Sequence, residues 1–329
     1  MTIRLGFLTH VNGHGDAEQT YRETLELFVA ADELGFDVGW VAQHHFDNDA
    51  GGLPAPWPFL AAAAARTRRI RLSTAITILP LEDPLALAEQ LAVVDTSSGG
   101  RVEIGVGSGY DPAAYAAFGV DMDRRRELTS AHLATLRDAL AGKPLTDSGT
   151  VLRPAVRDFT GRIWQGVFSA AGAEHVAAAG SHLLLNRATY GYDEPTDVVQ
   201  RPWAQAYRQA WTHSHEPRIG LSRLIFPAAD RRSALDQLRA GSAAAAEGFV
   251  RRGQFPAGLS IEQYLDRLHA FYGHPEQIVA QLREERVLPL ATDLLCQFNP
   301  GVPTHEAALR ALELIATEVA PALGWRPAA

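Results

Sequence analysis

Apolar residues recur along this chain in short runs of strand length, and nearly every run is followed by a stretch whose apolar positions repeat with helical period. The predicted strands are Ile3–Leu8, Val38–Gln43, Ile70–Ile76, Val102–Val106, Ile163–Phe168, His182–Asn186, Ile219–Phe226 and Leu290–Gln297. The predicted helices are Thr20–Leu34, Pro84–Asp95, Arg124–Leu140, Gly172–Ala179, Asp197–Thr212, Ser233–Arg251 and Thr304–Ala320. Helix-start chemistry supports two of them directly. Asp83 stands as an N-cap before Pro84 at the first helical position, and Thr304 precedes an acidic first turn at Glu306. Strands that alternate with helices make parallel sheets, because a parallel neighbour needs a crossover of helix length. Eight such strands, with no Pro/Gly/Ser linker dividing the chain, predict an α/β fold: a single (β/α)8 TIM barrel over residues 1–329. Two segments exceed a minimal barrel. Gly142–Gly161 is expected to hold a short extended pair, and Gly253–Gly273 is expected to cross to the active face as a lid.

Charge and composition narrow the function. Thirty basic residues face thirty-eight acidic ones, a net charge of −8, and no Lys/Arg run is long enough to follow a row of phosphates, so nucleic acid is excluded as a partner. Arg124–Arg126 is flanked by Asp121, Asp123 and Glu127 and reads as a solvated helix start. The single cysteine, Cys296, rules out a disulfide framework and a cysteine-based metal site; within the last strand it reads as a core residue. The chain opens straight into strand pattern, and no apolar run approaches the about 18 residues of a membrane span, so a soluble cytoplasmic protein without membrane contact is expected.

In a barrel the chemistry sits at the carboxyl ends of the strands. Those ends carry His10, then Gln43-His44-His45-Phe46, then Gly105-Val106-Gly107-Ser108-Gly109-Tyr110, Phe168-Ser169-Ala170-Ala171-Gly172, Asn186-Arg187 and Gln297-Phe298. His44 and His45 are adjacent on a strand end and so point to opposite sides. On their own they read as structural histidines or as an acid/base; a metal reading would need Asp47 or Asp49, and no metal is expected. The glycine cluster fails the dinucleotide fingerprint, since no glycine follows three residues after Gly107; it reads as close approach of backbone to a flat group, or as tight turns. Ser169-Ala170-Ala171-Gly172 opens a helix of small residues, which reads as an anion seat or a plain N-cap, with Arg187 and Arg126 as candidate partners for the anion. Trp57, Phe59, Tyr110, Phe168 and Phe298 are candidates for an apolar wall. No nucleophile elbow, phosphate-binding loop or His-Glu-x-x-His is present, which ranks hydrolysis and triphosphate chemistry low.

Taken in order, these pieces resemble the bacterial luciferase-like flavin monooxygenases. Gln43-His44-His45-Phe46 is similar to the Glu-His-His-Phe of luciferases, and Ser73–Pro80, the helix from Pro84 closing on Ser97–Arg101, Gly105–Tyr110 and Phe118–Asp123 follow in the family's order. The resemblance implies a barrel that takes reduced FMN from a separate reductase, forms a flavin C4a-hydroperoxide with O2 and oxygenates a small organic substrate, as a homodimer. It implies His44 as the catalytic histidine, Arg126 as a contact to the flavin phosphate, and Ser169, Ala170, Ala171 and Gly172 as the phosphate seat. It also implies a cis peptide at Ala75–Ile76 beneath the isoalloxazine, with Gly107, Ser108, Gly109 and Tyr110 lining the cofactor. Ser108 stands where luciferases have a further phosphate-binding arginine, which shifts anion binding toward Arg187. No counterpart of the long luciferase loop is evident, so light emission is not expected. A deazaflavin-dependent oxidoreductase of the same barrel group is the alternative, and a non-catalytic flavin-binding subunit a third reading.

Overall fold

The structure, a computed structural model, describes residues 3–46 and 51–325; Asp47 and Asp49 lie outside the described residues. Strands and helices follow as β1 (Arg4–Thr9), α1 (Ala17–Glu33), β2 (Val38–Val41), α2 (Pro56–Arg66), β3 (Arg71–Thr74), β4 (Thr77–Ile78), α3 (Pro84–Ser98), β5 (Ile104–Gly107), α4 (Pro112–Ala117) and α5 (Arg125–Leu140). The second half continues with β6 (Ile163–Val167), α6 (Ala170–Ala178), β7 (His182–Leu185), α7 (Thr196–Ala210), β8 (Ile219–Pro227), α8 (Arg231–Arg251), α9 (Ile261–Arg267), β9 (Phe271–Gly273), α10 (Pro275–Glu284), β10 (Asp293–Gln297) and α11 (His305–Leu314). The pairing order β3-β2-β1-β10-β8-β7-β6-β5-β4 is parallel throughout. Because β3 and β4 are two pieces of one stave, and Leu72 bridges to Val102, the path closes as an eight-stave barrel. Each predicted strand is present. Between the Leu72–Val102 and Thr77–Val106 pairings the third stave carries one residue more than β5, a bulge that falls at the cis Ala75–Ile76 peptide.

Alternation along the strands divides the core. Leu8, Trp40, Trp164, Leu184 and Leu295 fill the barrel interior, with Trp40 and Trp164 edge to face at 5.4 Å and Ala75 and Ile76 resting on them. Leu5, Phe7, Val41, Leu72, Ile104 and Val106 join the larger cluster packed beneath the helices. The interior is therefore a plug, and the mouth begins above it. Asp83 caps α3 as expected, accepting from Leu85 and Ala86 at 2.9 Å, and Thr304 caps α11. Helix α2 has no counterpart in the predicted elements: Ala61 to Ala65 give no polar period, and its N-cap, Ala55, offers no side-chain acceptor.

The two insertions depart from a minimal barrel in different ways. Residues 142–161 contain no strand, so the extended pair is not there. Thr146, Ser148 and Thr150 bond one another through their hydroxyls, and Thr150 N donates to Thr146 Oγ1, which takes the groups a ladder would use. Residues 253–273 hold α9 and β9, and β9 extends β8 at its carboxyl end. Phe255, Tyr264 and Leu268 pack with Ala188 and Phe249, and Tyr190 lies against them, so this arm leans over the carboxyl end of β7.

Outside the barrel, between β8 and its covering helices, Arg223 is fully buried against Glu285 at 3.1 Å and donates to Gln200 Oε1 at 3.0 Å. Asp197, His269 and Glu285 each place a ligand atom within 4.8 Å of the others, but the guanidiniums of Arg223 and Arg286 already supply the positive charge there. Burial alone would raise the Glu285 carboxyl; Arg223 and His269 outweigh it and hold it at about 2. A folded pKa below the ordinary 4.5 means that the pair's stabilisation is complete above that pH and drains away as pH falls toward 2. Glu285→Gln should destabilise the chain by about 3–5 kcal/mol, because Arg223 is left as an uncompensated buried charge. Urea unfolding at pH 7 checks this, and a loss under about 1 kcal/mol would remove the pair from the stability account.

Candidate functional site

Inward positions at the strand ends are set two by two. Leu8 pairs with Trp40 in the β1–β2 register and both face inward; two residues beyond Leu8 comes His10, and four residues beyond Trp40, past the end of β2, comes His44. Their rings stack at 5.2 Å, and His10 Nδ1 meets His44 Nε2 at 3.0 Å, so one nitrogen donates and the other accepts. The backbone behind is tight: His44 N donates to Leu53 O, and a Cβ on Gly51 would come within 2.2 Å of the His44 ring. Burial, then Arg187, then His45 push the His44 imidazole down to about 4 against the opposing pull of Asp111, so it is neutral at physiological pH. His45 points the other way, against Phe118 at 4.9 Å. Gln43 is a strap: its Oε1 accepts from Ile78 N at 2.7 Å and its amide donates to Glu82 and Pro54 O.

Beside the histidines lies a shelf. Ala75 and Ile76 are partly exposed above the barrel plug, joined by the cis peptide that the resemblance implies. Glycines surround it: a Cβ on Gly107 would meet Ile76 Cδ1 at 3.1 Å, one on Gly166 would meet Ile76 Cγ2 at 3.7 Å, and Gly109 has a φ of +62°. Ser108 O accepts from the Tyr115 hydroxyl, and Tyr110 next to the glycines is exposed on the rim.

Helix α6 begins beyond the adjacent strand end. Ser169 is its N-cap, accepting from Gly172 N at 3.1 Å, and Ala170, Ala171 and Gly172 form the first turn with no large side chain over the amides. Arg126 is exposed on the first turn of α5, a helix tied to this rim by His132 Nδ1 at 3.0 Å from Leu79 O. Arg187 is not held at the α6 seat. It donates to Gln297 Oε1 at 3.0 Å, bonds Tyr190 and acts on His44, because its strand end lies beneath the α8–α9 arm. Gln297 in turn donates to Ser222 Oγ. Arg187 Nε is buried without a partner among the described residues.

The barrel brings His44, Ala75, Ile76, Gly107–Tyr110, Ser169–Gly172 and Arg187 to the one carboxyl rim, with Arg126 on a helix that starts there. Of the wall candidates, Tyr110 and Phe168 are exposed on this rim and Phe298 packs on Phe226 at 5.3 Å. Trp57 and Phe59 are instead core residues under α1 and α2, with Phe59 edge-on to Tyr21 and Phe28, because α2 turns its apolar face to the barrel. Sequence reasoning missed His10 as the partner of His44, and Gln297 and Tyr190 as partners of Arg187. The signal for His10 and Gln297 was period two, each lying two residues beyond an inward leucine. Phe46, Phe118 and Tyr192 are further exposed aromatics of this region, and burial raises the Cys296 thiol within the core.

Residues 1–292 match the family described as luciferase-like monooxygenase. Limonene 1,2-monooxygenase of Rhodococcus erythropolis is 35% identical over 135 residues, 40% of this chain and 34% of that protein. The chain spans between 33% and 59% of the length of the curated relatives it matches. Monooxygenase RslO1 of Streptomyces bottropensis superposes with a TM-score of 0.82 at 26% identity, covering 97% of this chain and 99% of that one. The oxygenating constituent of 3,6-diketocamphane monooxygenase from Pseudomonas putida, in complex with FMN, gives 0.75 at 16% identity, over 98% of both chains. Structures of this fold include both FMN-bound and F420-dependent enzymes. No helix among the described residues is long and apolar enough to cross a membrane. The chain belongs to the luciferase-like monooxygenase family and is built on a TIM barrel.

Proposed function

We propose that the chain is an FMN-dependent monooxygenase that receives reduced FMN from a separate reductase and, with O2, oxygenates a small apolar organic substrate. The observation that carries this reading is the paired imidazole of His10 and His44 beside the Ala75–Ile76 shelf, on one rim with the small-residue start of α6. The residues fit a flavin: glycines leave a shallow cradle around Ile76, and Arg187 Nε is a buried donor awaiting an acceptor. Ala75, Ile76 and Gly107–Tyr110 would hold the ring, and Ser169–Gly172 with Arg126 the phosphate. When bound, the reduced flavin supplies the electrons that activate O2.

The chain's own residues supply position and proton control. His44, neutral down to about pH 4, accepts or shares a proton with His10 Nδ1 and leaves no ammonium-like acid free in the mouth. The exposed aromatics Phe46, Tyr110, Phe118 and Phe168 offer an apolar surface that keeps water from the reacting atoms. A cytoplasmic homodimer of single-domain chains completes the proposal.

Titration of the full chain with reduced FMN and, separately, reduced F420 tests it, together with O2 uptake. Reduced FMN should bind in a ratio near 1:1 and support O2 uptake into a product. Preferential binding of the deazaflavin without O2 uptake would replace oxygenation by hydride transfer.

A further inference from the structure

The amino-terminal rim of the barrel, opposite the site above, holds a cavity of ≈ 620 Å³. Five arginines line it, Arg4, Arg69, Arg71, Arg162 and Arg218, with only Asp37 and Glu103 among its acidic lining residues. That excess of cations stands out in a chain of net charge −8.

Carboxylates around the cavity, Asp37 beside Arg4 and Asp32 beside Arg69 among them, balance much of this charge but do not occupy every guanidinium donor. Glu103 is buried and shared, with Oε1 2.5 Å from Arg71, 3.3 Å from Arg4 and 3.6 Å from Arg218, while its other oxygen accepts from Trp164 Nε1 at 2.7 Å. Asp293, behind it, serves both Arg4 and Arg218. Three guanidiniums thus converge on two buried carboxylates. Arg69 gives Nη2 to Asp32 O at 2.6 Å, and Arg162 gives Nη1 to Asp95 at 3.0 Å, where that carboxylate also accepts from Val102 N. A guanidinium carries five N–H donors in a planar fork, so the bonds to Asp32 and Asp95 leave further donors on two arginines that line the cavity. The cations come from the starts of four staves and the turn before β3, which fixes their spacing by barrel register.

We propose that this cavity binds a small phosphate-bearing anion, at a site separate from the flavin-binding rim. Forked guanidiniums match phosphate oxygens in pairs, and the cavity falls in the size range of small-ligand sites. A single carboxylate would engage one fork; a pyrophosphate-sized group with several charges meets the whole ring.

Calorimetric titration of the full chain with inorganic pyrophosphate at low ionic strength tests the assignment. One ion per chain is expected. Arg69→Gln combined with Arg162→Gln should weaken it by about tenfold or more, since each removes charge-assisted bonds without touching Glu103. Arg162→Lys, which keeps the charge but not the fork, should recover part of the loss. Ser169→Ala with Arg126→Gln, on the opposite rim, should leave the affinity within about twofold. Absence of binding by the folded chain overturns the proposal. So does a loss caused by the Ser169/Arg126 pair, which would put the ion at the flavin rim, or equal weakening by salt in every variant.

Discussion

Replacing His44 with Gln is expected to lower kcat by about 10²–10⁴-fold while reduced FMN still binds within a few-fold of the parent. Glutamine preserves a polar group on the same backbone, yet it cannot hold and release a proton at the nitrogen that faces His10 Nδ1 at 3.0 Å. The shelf at Ala75–Ile76 and the α6 seat are untouched, so the loss should fall on turnover and not on cofactor affinity. The pH profile separates chemistry from packing. Burial, Arg187 and His45 hold His44 at about 4, so the wild-type acid limb belonging to this group should lie near pH 4, well under the ordinary 6.5. Removing a neighbouring cation favours the charged imidazole, so Arg187→Gln should move that limb upward; the direction follows from Coulomb repulsion alone. An unchanged kcat in His44→Gln would take the imidazole out of the mechanism. An acid limb unmoved by Arg187→Gln would break the coupling between the two side chains.

What the chain disclosed in advance follows the physics of each element. The eight strands were legible because strands buried on both faces read as continuous apolar runs, and each run was followed by a helix or turn signal. His44 was legible because a strand end at the barrel mouth is a short list of positions. Its partner was not: His10 meets it only through the β1–β2 register, which local pattern does not contain. Arg187 shows the limit from the other side. Its position on a rim strand was right, but its side chain turns to Gln297 and Tyr190 because an arm much later in the chain, residues 253–273, packs over β7. The amino-rim arginines were invisible for the same reason, since they are far apart in sequence and are joined only by barrel closure.

The second large effect tests a close backbone approach between β3 and β5. Gly105→Ala should cost about 1–3 kcal/mol of stability and weaken reduced FMN binding at least tenfold, because the new methyl group has nowhere to go. A Cβ at Gly105 would stand 2.1 Å from Thr74 O and 3.0 Å from Leu184 Cδ1, and the nearer atom is backbone that no rotamer change can move. The Thr74 hydroxyl already clasps this residue, donating to Gly105 O at 2.8 Å and accepting from Gly105 N at 3.2 Å. Relief requires β3 to shift away from β5, and the next residues on β3's path are Ala75 and Ile76, which form the shelf. Strain at Gly105 is therefore delivered to the place where the ring is proposed to lie. Gly166→Ala separates the two effects: its Cβ would meet Ile76 Cγ2 at 3.7 Å, an ordinary contact, so stability should hold, while the methyl group enters the cradle and should weaken reduced FMN binding. Thermal unfolding and fluorescence titration of both variants read the two effects separately. If Gly105→Ala loses stability yet binds reduced FMN as the parent does, the ring does not rest on Ala75–Ile76, and the cofactor assignment on this rim falls with it.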